Sequence, residues 1–393
     1  MKKIKLLIPI LIIFTVTAFS ACSPVSEEPA ESSVPMQLDH IAPDSEYVSS
    51  LQEEFERAQE NIVQPAVKDP AEEILAEMSL EEKAGQVILA RYPDDPAEQS
   101  EKYHFGGYTL YAKDFENETP ESLGDKLSAV KEASAVPPFI AADEEGGDIV
   151  RISKYPAFAD KPLPSLASAA AEGRVHEFAE EMAEVLNRAG VNLNLAPVAD
   201  VAENKSDYIY SRTCGLGYEE TGAVIAELSE ELNSLGIMCC LKHFPGYGSN
   251  VDTHTGIAAD DRSAENFESR DFIPFKAGID AGAPMIMVNH NIVAAYNADM
   301  PASLAPEIHE VLRGLGFNGI IVTDDLGMDA ISLYTDSPYV TAFLAGNDLL
   351  CASDGAACYE ALLEAVQSGE ITEERLDESV YRILSAKIEY GIL

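Results

Sequence analysis

The sequence predicts an α/β fold, a (β/α)8 TIM-type barrel, over residues 71–393. Eight short apolar runs occur in this region, and helical patterns alternate with them. Most of the apolar runs are continuous, which is typical of parallel strands that are buried on both faces. Eight strand–helix units in roughly 320 residues fit the length of such a barrel.

The predicted strands and helices can be read directly from the sequence. The strands, in chain order, are "QVILARY", "GGYTLYA", "PFIAAD", "VNLNLAPV", "IMCCLKHF", "PMIMVNH", "GIIVTD" and "AGNDLLCAS". Helical patterns between them include "EETGAVIAELSEELNSLG", "APEIHEVLRGLG" and "ACYEALLEAVQSG", and several end in glycine, as helices often do. An open doubly wound sheet is the alternative, but it would need a glycine-rich loop after the first strand, and "QVILARYPDDPAEQ" lacks one.

Residues 1–22 predict export. Lys2, Lys3 and Lys5 precede an apolar run, and small residues come just before Cys22. This pattern is typical of a secretory signal peptide, and "AFSAC" resembles a bacterial lipobox. We therefore expect a protein that is lipid-anchored through Cys22 on the outer face of the cell membrane. An ordinary signal peptide cut nearby, with secretion of part of the protein, is the alternative.

Residues 23–70 predict an acidic, largely disordered tether. From Ser23 to Pro70 there are 11 Asp or Glu residues against 2 Lys or Arg residues, and apolar residues are sparse. The whole chain has a formal net charge of −42. Nucleic acid is therefore excluded as an expected partner, because phosphate binding needs a basic surface.

The cysteines of the predicted barrel do not have the spacing of a zinc site. They are Cys214, Cys239, Cys240, Cys351 and Cys358. An odd number, with two of them adjacent in an apolar run, predicts buried free thiols.

Polar residues end several of the predicted strands. They are Asp143, Asp200, Lys242, His243, Asn289, His290, Asp324 and Asp325. Active sites of (β/α)8 barrels lie at the carboxyl ends of the strands. The sequence thus predicts a polar pocket at that face, although any one of these residues could instead be a cap or a buried structural group.

The stretch "KHFPGYGSNVDTHTG", residues 242–256, begins with the last three residues of the fifth predicted strand and continues into a loop. Asp252 lies two residues before His254, so on an extended loop both side chains project to the same side. A histidine oriented by a carboxylate can act as a general acid/base near neutral pH. The D-x-H pattern alone is weak evidence, since it occurs by chance in many loops.

The chain resembles glycoside hydrolase family 3, specifically its β-N-acetylglucosaminidase branch. The resemblance runs from "EEILAEMSLEEKAGQVILA" to "RLDESVYRILSAKIEYGIL" through "FGGYTLYAKDFE", "FIAADEEGGDIVRI", "SRTCG", "KHFPGYGSNVDTHTG", "MIMVNHNI" and "GFNGIIVTDDLGM". It implies an eight-stranded barrel and a retaining exo-β-N-acetylglucosaminidase that acts on cell-wall or chitin-derived glycans. It implies no cofactor and no metal, and the chain looks like a single-domain member.

The resemblance also implies roles for individual residues. Asp324 matches the family's nucleophile, and Asp325 is the residue most easily mistaken for it. His254 matches the acid/base of this branch, and Asp252 its partner. Five further residues match those that bind sugar hydroxyls, namely Asp143, Arg151, Arg212, Lys242 and His243. Asp200 and His290 are weaker candidates, because each can support the barrel mouth instead.

Three positions depart from the family pattern. Tyr247 stands where the family usually has histidine, Asp148 where it usually has arginine, and Cys214 where it usually has an aromatic residue. These departures make the sugar preference less secure, so a different specificity such as β-glucoside stays open, and they also leave open a glycan-binding protein without activity. A histidine acid/base would repel incoming phosphate less than a glutamate, so phosphorolysis instead of hydrolysis is a further alternative. The last alternative is a metal-dependent barrel hydrolase that uses His243, His254, His290 and Asp324. The metal-dependent alternative lacks the usual His-x-His ligand pair.

Overall fold

The computed structural model describes residues 69–250, 258–328 and 331–393. The predicted signal peptide with Cys22, the tether as far as residue 68, and the residues Asp252 and His254 lie outside the described residues. Within the described ranges, no helix combines the length and the hydropathy that crossing a membrane requires.

Eight parallel strands form the barrel, and each lies within one of the eight predicted runs. They are β1 Ile88–Arg91, β2 Gly107–Leu110, β3 Phe139–Ala142, β4 Leu193–Asn194, β5 Met238–Phe244, β6 Met285–Val288, β7 Ile320–Thr323 and β8 Leu350–Ala352. The sheet order is β8-β1-β2-β3-β4-β5-β6-β7. A parallel bridge between Val322 and Leu349 joins its two ends. The predicted (β/α)8 barrel is confirmed.

Helices surround the barrel, and short helical turns and a small strand pair decorate its connections. The α-helices are Pro70–Glu77, Leu80–Gln86, Pro96–Tyr103, Ala112–Phe115, Pro120–Ala133, Leu166–Ala171, Val175–Arg188, Tyr218–Ser234, Ala264–Asn266, Phe272–Asp280, Pro306–Gly314, Pro338–Ala345, Gly355–Ser368 and Glu373–Glu389. Other helical turns are Tyr210–Arg212, Ala302–Leu304, Ile331–Leu333 and the π-helical Phe267–Asp271. Ala259–Asp260 pairs in parallel with Ile292–Val293 outside the barrel.

Local sequence signals set many of these helix starts. Ser79 and Glu82 form a reciprocal capping box, in which each side chain accepts a hydrogen bond from the other residue's backbone N–H. Proline opens the helices at positions 70, 96, 120, 306 and 338, where its missing N–H carries no penalty.

The strands of the barrel are buried on both of their faces. All seven residues of β5 are buried, as are all four residues of β3 and of β6. The helix Val175–Arg188 buries Phe178, Met182 and Leu186. Strands buried on both faces explain the continuous apolar runs of the sequence. The five cysteines within residues 69–393 are buried free thiols, as predicted.

Lys387 is fully buried at the face of the barrel opposite the carboxyl ends of the strands. It lies in the last helix, its Nζ donates to Oε1 of Gln86 at 2.8 Å, and it sits 4.9 Å from the ring centroid of Phe139, the first residue of β3. Burial lowers the pKa of the Lys387 ammonium from 10.5 to about 7. Lys387 therefore destabilises the folded barrel near neutral pH, where its charged form must be buried.

We expect Lys387→Met to stabilise the protein more at pH 7 than at pH 10. The folded-state pKa lies below the unfolded value, so the contribution of Lys387 to stability is present above pH 10.5 and is lost as the pH falls toward about 7. At about 1.4 kcal/mol per pKa unit, the difference is on the order of 4 kcal/mol. Denaturant unfolding of both proteins across pH 7–10, under reducing conditions, measures it. If the free energies of unfolding of the two proteins changed in parallel with pH, the lowered pKa of Lys387 would be refuted.

Candidate active site

A cavity of about 490 Å³ opens at the carboxyl ends of the strands. Six of the predicted site residues line it: Asp143, Arg151, Arg212, Lys242, His243 and Asp324. They come from the ends of β3, β5 and β7 and from the connections that follow β3 and β4. The structure therefore gathers residues that are up to 181 positions apart (324 minus 143) into one polar site.

Lys242 is the buried cation at the bottom of this site. Its Nζ lies 2.8 Å from Oδ1 of Asp143 and 2.6 Å from Oε1 of Glu145. Burial opposes the charged form of Lys242, but the two carboxylates outweigh it and raise its pKa. For Asp143, burial is likewise outweighed, by Lys242 and Arg151, and the pKa falls from 3.8 to about 2. All of these groups are ionised at neutral pH.

Arg212 completes the network from the connection after β4. Its Nε and Nη2 donate to the two carboxylate oxygens of Glu145 at 2.9 and 2.7 Å, a bidentate pair. Its Nη2 also lies 3.1 Å from Nε2 of His243. Burial opposes ionisation of Glu145, but Lys242 and Arg212 lower its pKa overall. Glu145 thus holds two sugar-binding candidates in place.

Asp200 orients His243 and the start of the next loop. One carboxylate oxygen lies 2.7 Å from Nδ1 of His243 and accepts its backbone N–H at 3.0 Å; the other accepts the backbone N–H of Tyr247 at 2.7 Å. The Asp200 side chain is fully buried. It therefore supports the barrel mouth, which is one of the two roles that the sequence left open. His290 is also buried, between Ser303 Oγ and the backbone carbonyl of Asp325.

The neighbouring carboxylates Asp324 and Asp325 have different surroundings. Asp325 accepts the backbone N–H groups of Gly327 at 2.9 Å and Ser353 at 3.0 Å, and the Ser353 hydroxyl. It thereby links the loop after β7 to the loop after β8. The Asp324 carboxylate accepts the backbone N–H of Asp325 at 2.9 Å. Both aspartates line the cavity directly after β7, but only Asp325 ties the two loops together. This arrangement suits Asp324 for chemistry and Asp325 for structure.

Glu144 and Glu145, though adjacent, face opposite ways. The Glu144 carboxylate accepts backbone N–H groups of Arg151, Ile152 and Ser153, and the residue is fully buried. Burial raises the pKa of Glu144. Side chains two positions apart on extended chain share a face, so Asp143 and Glu145 both reach the cavity. That alternation could have identified Glu145 from the sequence, where its role was missed.

The loop that carries the D-x-H pattern is anchored on both sides by Arg262. Its guanidinium donates to Asp260 and Asp271 at 2.8–3.0 Å and to the carbonyl oxygen of Gly246 at 3.4 Å. Asn250 donates to Asp260 at 2.7 Å. Burial raises the pKa of Asp271 to about 6, against the opposing charge of Arg262. The chain on either side of residues 251–257 is thus tied to one ion-pair cluster.

The three departures from the family pattern occupy different environments. Tyr247 is buried, lines the cavity and packs edge-on against His243, with ring centroids 5.2 Å apart. Cys214 is buried and Asp148 is exposed on the connection after β3. Only the change at position 247 therefore alters the lining of the cavity.

Comparison with known proteins identifies the family. Residues 79–386 match the "Glycosyl hydrolase family 3 N terminal domain". The chain belongs to glycosyl hydrolase family 3. It is 34% identical over 241 residues to a β-hexosaminidase of Xanthomonas campestris pv. campestris (strain B100), a match that covers 57% of this chain and 69% of that protein.

Two solved structures are also similar to this chain. A glycoside hydrolase family 3 β-N-acetylglucosaminidase from Paenibacillus sp. str. FPU-7 superposes with a TM-score of 0.74 at 29% identity, covering 80% of this chain and 63% of that one. A β-N-acetylhexosaminidase from Beutenbergia cavernae DSM 12333 superposes with a TM-score of 0.70 at 25% identity, covering 79% and 99%. The protein is a glycoside hydrolase of this family, and its chain spans less than two thirds of the Paenibacillus structure.

Glu145→Gln should impair the site although the replacement is nearly isosteric. It leaves Lys242 and Arg212 buried with one counter-charge fewer, a change that typically costs about 3 kcal/mol. We expect kcat/KM to fall by about 10- to 100-fold and the free energy of unfolding to fall as well. Asp148→Asn, which removes an exposed charge from the same connection, is the matched control. Equal behaviour of the two variants in kinetics and denaturation would contradict the role of Glu145.

Proposed function

We propose that this protein is a retaining exo-β-N-acetylhexosaminidase that releases terminal non-reducing N-acetylhexosamine from cell-wall or chitin-derived glycans. One observation carries the proposal: the Asp143–Lys242–Glu145–Arg212 network and the carboxylate of Asp324 line the same cavity. The names of the Paenibacillus and Beutenbergia proteins support the choice of N-acetylhexosamine, and that of the Xanthomonas relative supports a hexosaminidase.

The charged network is suited to binding one sugar. Sugar hydroxyls both donate and accept hydrogen bonds, and the network offers carboxylate acceptors beside ammonium and guanidinium donors. Its members already hold one another at 2.6–2.9 Å, so binding requires little reorganisation. Such remote contacts position the anomeric carbon and can strengthen in the transition state.

Asp324 is the proposed nucleophile. Its carboxylate attacks the anomeric carbon, the glycosidic C–O bond breaks, and a covalent glycosyl-enzyme forms with inversion. A water molecule then attacks the same carbon, and the second inversion gives overall retention. The position directly after β7, at the carboxyl face of the barrel, is where catalytic residues of this fold lie.

His254, with Asp252 as its partner, is the proposed acid/base. It protonates the departing oxygen in the first step and removes a proton from water in the second. If His254 were not the acid, Glu144 and Glu145 would be the first carboxylates to test in its place, but both are poorly suited. Glu144 is fully buried, and Glu145 is ionised between Lys242 and Arg212.

The activity is tested with purified residues 23–393. Hydrolysis of nitrophenyl β-N-acetylglucosaminide, but not of nitrophenyl β-glucoside, is expected. Product formation that is independent of phosphate would distinguish hydrolysis from phosphorolysis. Absence of turnover on both substrates, with and without phosphate, would leave the glycan-binding alternative.

Asp324→Asn and Asp325→Asn should separate chemistry from structure. We expect the first to lower kcat by about 10³-fold or more with an unchanged unfolding midpoint, because no other group replaces the nucleophile. The second should retain more activity but lose about 1–3 kcal/mol of stability, since it weakens the hydrogen bonds to Gly327 and Ser353. If Asp325→Asn were inactive and Asp324→Asn active, the nucleophile would be Asp325.

His254→Ala should show a deficit that depends on the leaving group. Poor alkoxide leaving groups need the proton, whereas dinitrophenolate needs it little. The loss in kcat/KM should therefore shrink as the leaving group improves, and Asp252→Ala should show a milder form. Arg212→Ala is the contrast, because a lost sugar contact lowers the rate for all leaving groups alike. A uniform deficit in His254→Ala would make it a binding residue.

A further inference from the structure

Tyr208 is an exposed aromatic residue at the mouth of the active-site cavity. It lies in the connection after β4, is 38% exposed and lines the same cavity as Arg212 and His243. The sugar-binding groups lie deeper: Lys242 is 2% exposed and His243 is 4% exposed. The cavity thus has charged residues at its bottom and the aromatic residue Tyr208 at its rim.

The ring of Tyr208 rests on a rigid support. Its centroid lies 5.8 Å from that of Tyr247, which packs edge-on against His243. The backbone N–H of Tyr247 donates to the buried Asp200 at 2.7 Å. The next residue, Ile209, is fully buried in a small cluster that includes Tyr247. The backbone beside Tyr208 is therefore held in place, and the residue itself is 38% exposed at the rim.

The chemistry of an exposed phenol ring favours one class of ligand. A pyranose presents C–H groups on its faces and hydroxyls around its edge, so it can stack on an aromatic face and keep its hydroxyls in water. Tyrosine offers such a face at a low entropy cost, because its side chain has only two rotatable angles. In an exo-acting enzyme the terminal sugar fills the bottom of the cavity, so the next group of the substrate lies at the rim.

We propose that Tyr208 is the platform of an aglycone subsite that stacks against the pyranose ring of a second sugar. The inference rests on the proposed exo-glycosidase function and adds to it the class of aglycone. It makes Tyr208 a specificity residue: a saccharide aglycone gains a contact that a small alkyl aglycone cannot make.

The test compares two substrates whose leaving groups are both alkoxides. N,N′-diacetylchitobiose has a pyranose aglycone, and methyl β-N-acetylglucosaminide has a single carbon. Tyr208→Ala should lower kcat/KM for the disaccharide about tenfold more than for the methyl glycoside, because the lost contact is remote from the reacting bond. Tyr208→Phe, which keeps the ring, should preserve the wild-type ratio within about twofold.

The control is Leu235→Ala, which removes a side chain of similar exposure, 39%, at the end of the helix Tyr218–Ser234 and outside the cavity. It should not change the ratio. Thermal unfolding of each variant verifies the fold. Equal loss for both substrates, or an effect confined to the methyl glycoside, would overturn the platform.

A binding measurement separates this proposal from the proposed function. In the Asp324→Asn background, calorimetry compares the dissociation constants of N,N′-diacetylchitobiose and N-acetylglucosamine, with and without Tyr208→Ala. Selective weakening of disaccharide binding supports the role of Tyr208 as a platform. It does so even if the wild-type protein turns over neither glycoside, since absence of turnover would contradict only the proposed function. An equal increase in the dissociation constants of both ligands would contradict the role of Tyr208 as a platform.

Discussion

The buried ammonium of Lys242 is the constraint on which the active site depends. A lone charge at this depth would cost several kcal/mol, so the fold must bring counter-charges to it. Asp143 and Glu145 supply them from the end of β3, which only the short β4 separates from β5 in the parallel sheet. The order of the strands thus brings together the charges that define the site.

This constraint explains why the site is organised before a substrate binds. Lys242, Arg212 and Arg151 are the cations that pair with Asp143 and Glu145, although the whole chain is strongly acidic. These ion pairs hold hydrogen-bond donors and acceptors in fixed positions, where the hydroxyl groups of a sugar can bond to them. The groups around this network, such as Asp200, serve to hold its members in position.

The sequence predicted the strands well because burial on both faces leaves a continuous apolar run. Such a run can be recognised without knowing which strands and helices pack against it. The sequence also placed the polar strand ends correctly, since a parallel barrel presents all of them at one face. It could not separate Asp200, which supports the barrel mouth, from Asp143, which is proposed to bind the sugar, because both follow strands in the same way. Their difference lies in hydrogen bonds to residues more than 40 positions away, such as that from His243 to Asp200.

The loop after β5 shows how packing and chemistry meet. Gly246 and Gly248 both have positive φ values, 118° and 55°. A Cβ at position 246 would lie 2.6 Å from Asp271, and one at 248 would lie 2.7 Å from the guanidinium of Arg262. The glycines are therefore needed not only for the turn but for close approach to the ion-pair cluster. Arg262 then packs over the ring of Phe267 at 4.3 Å, which ties the cluster to the core. The described residues on both sides of the D-x-H pattern, such as Gly246 and Asp260, are thus held by charges that take no part in the proposed chemistry.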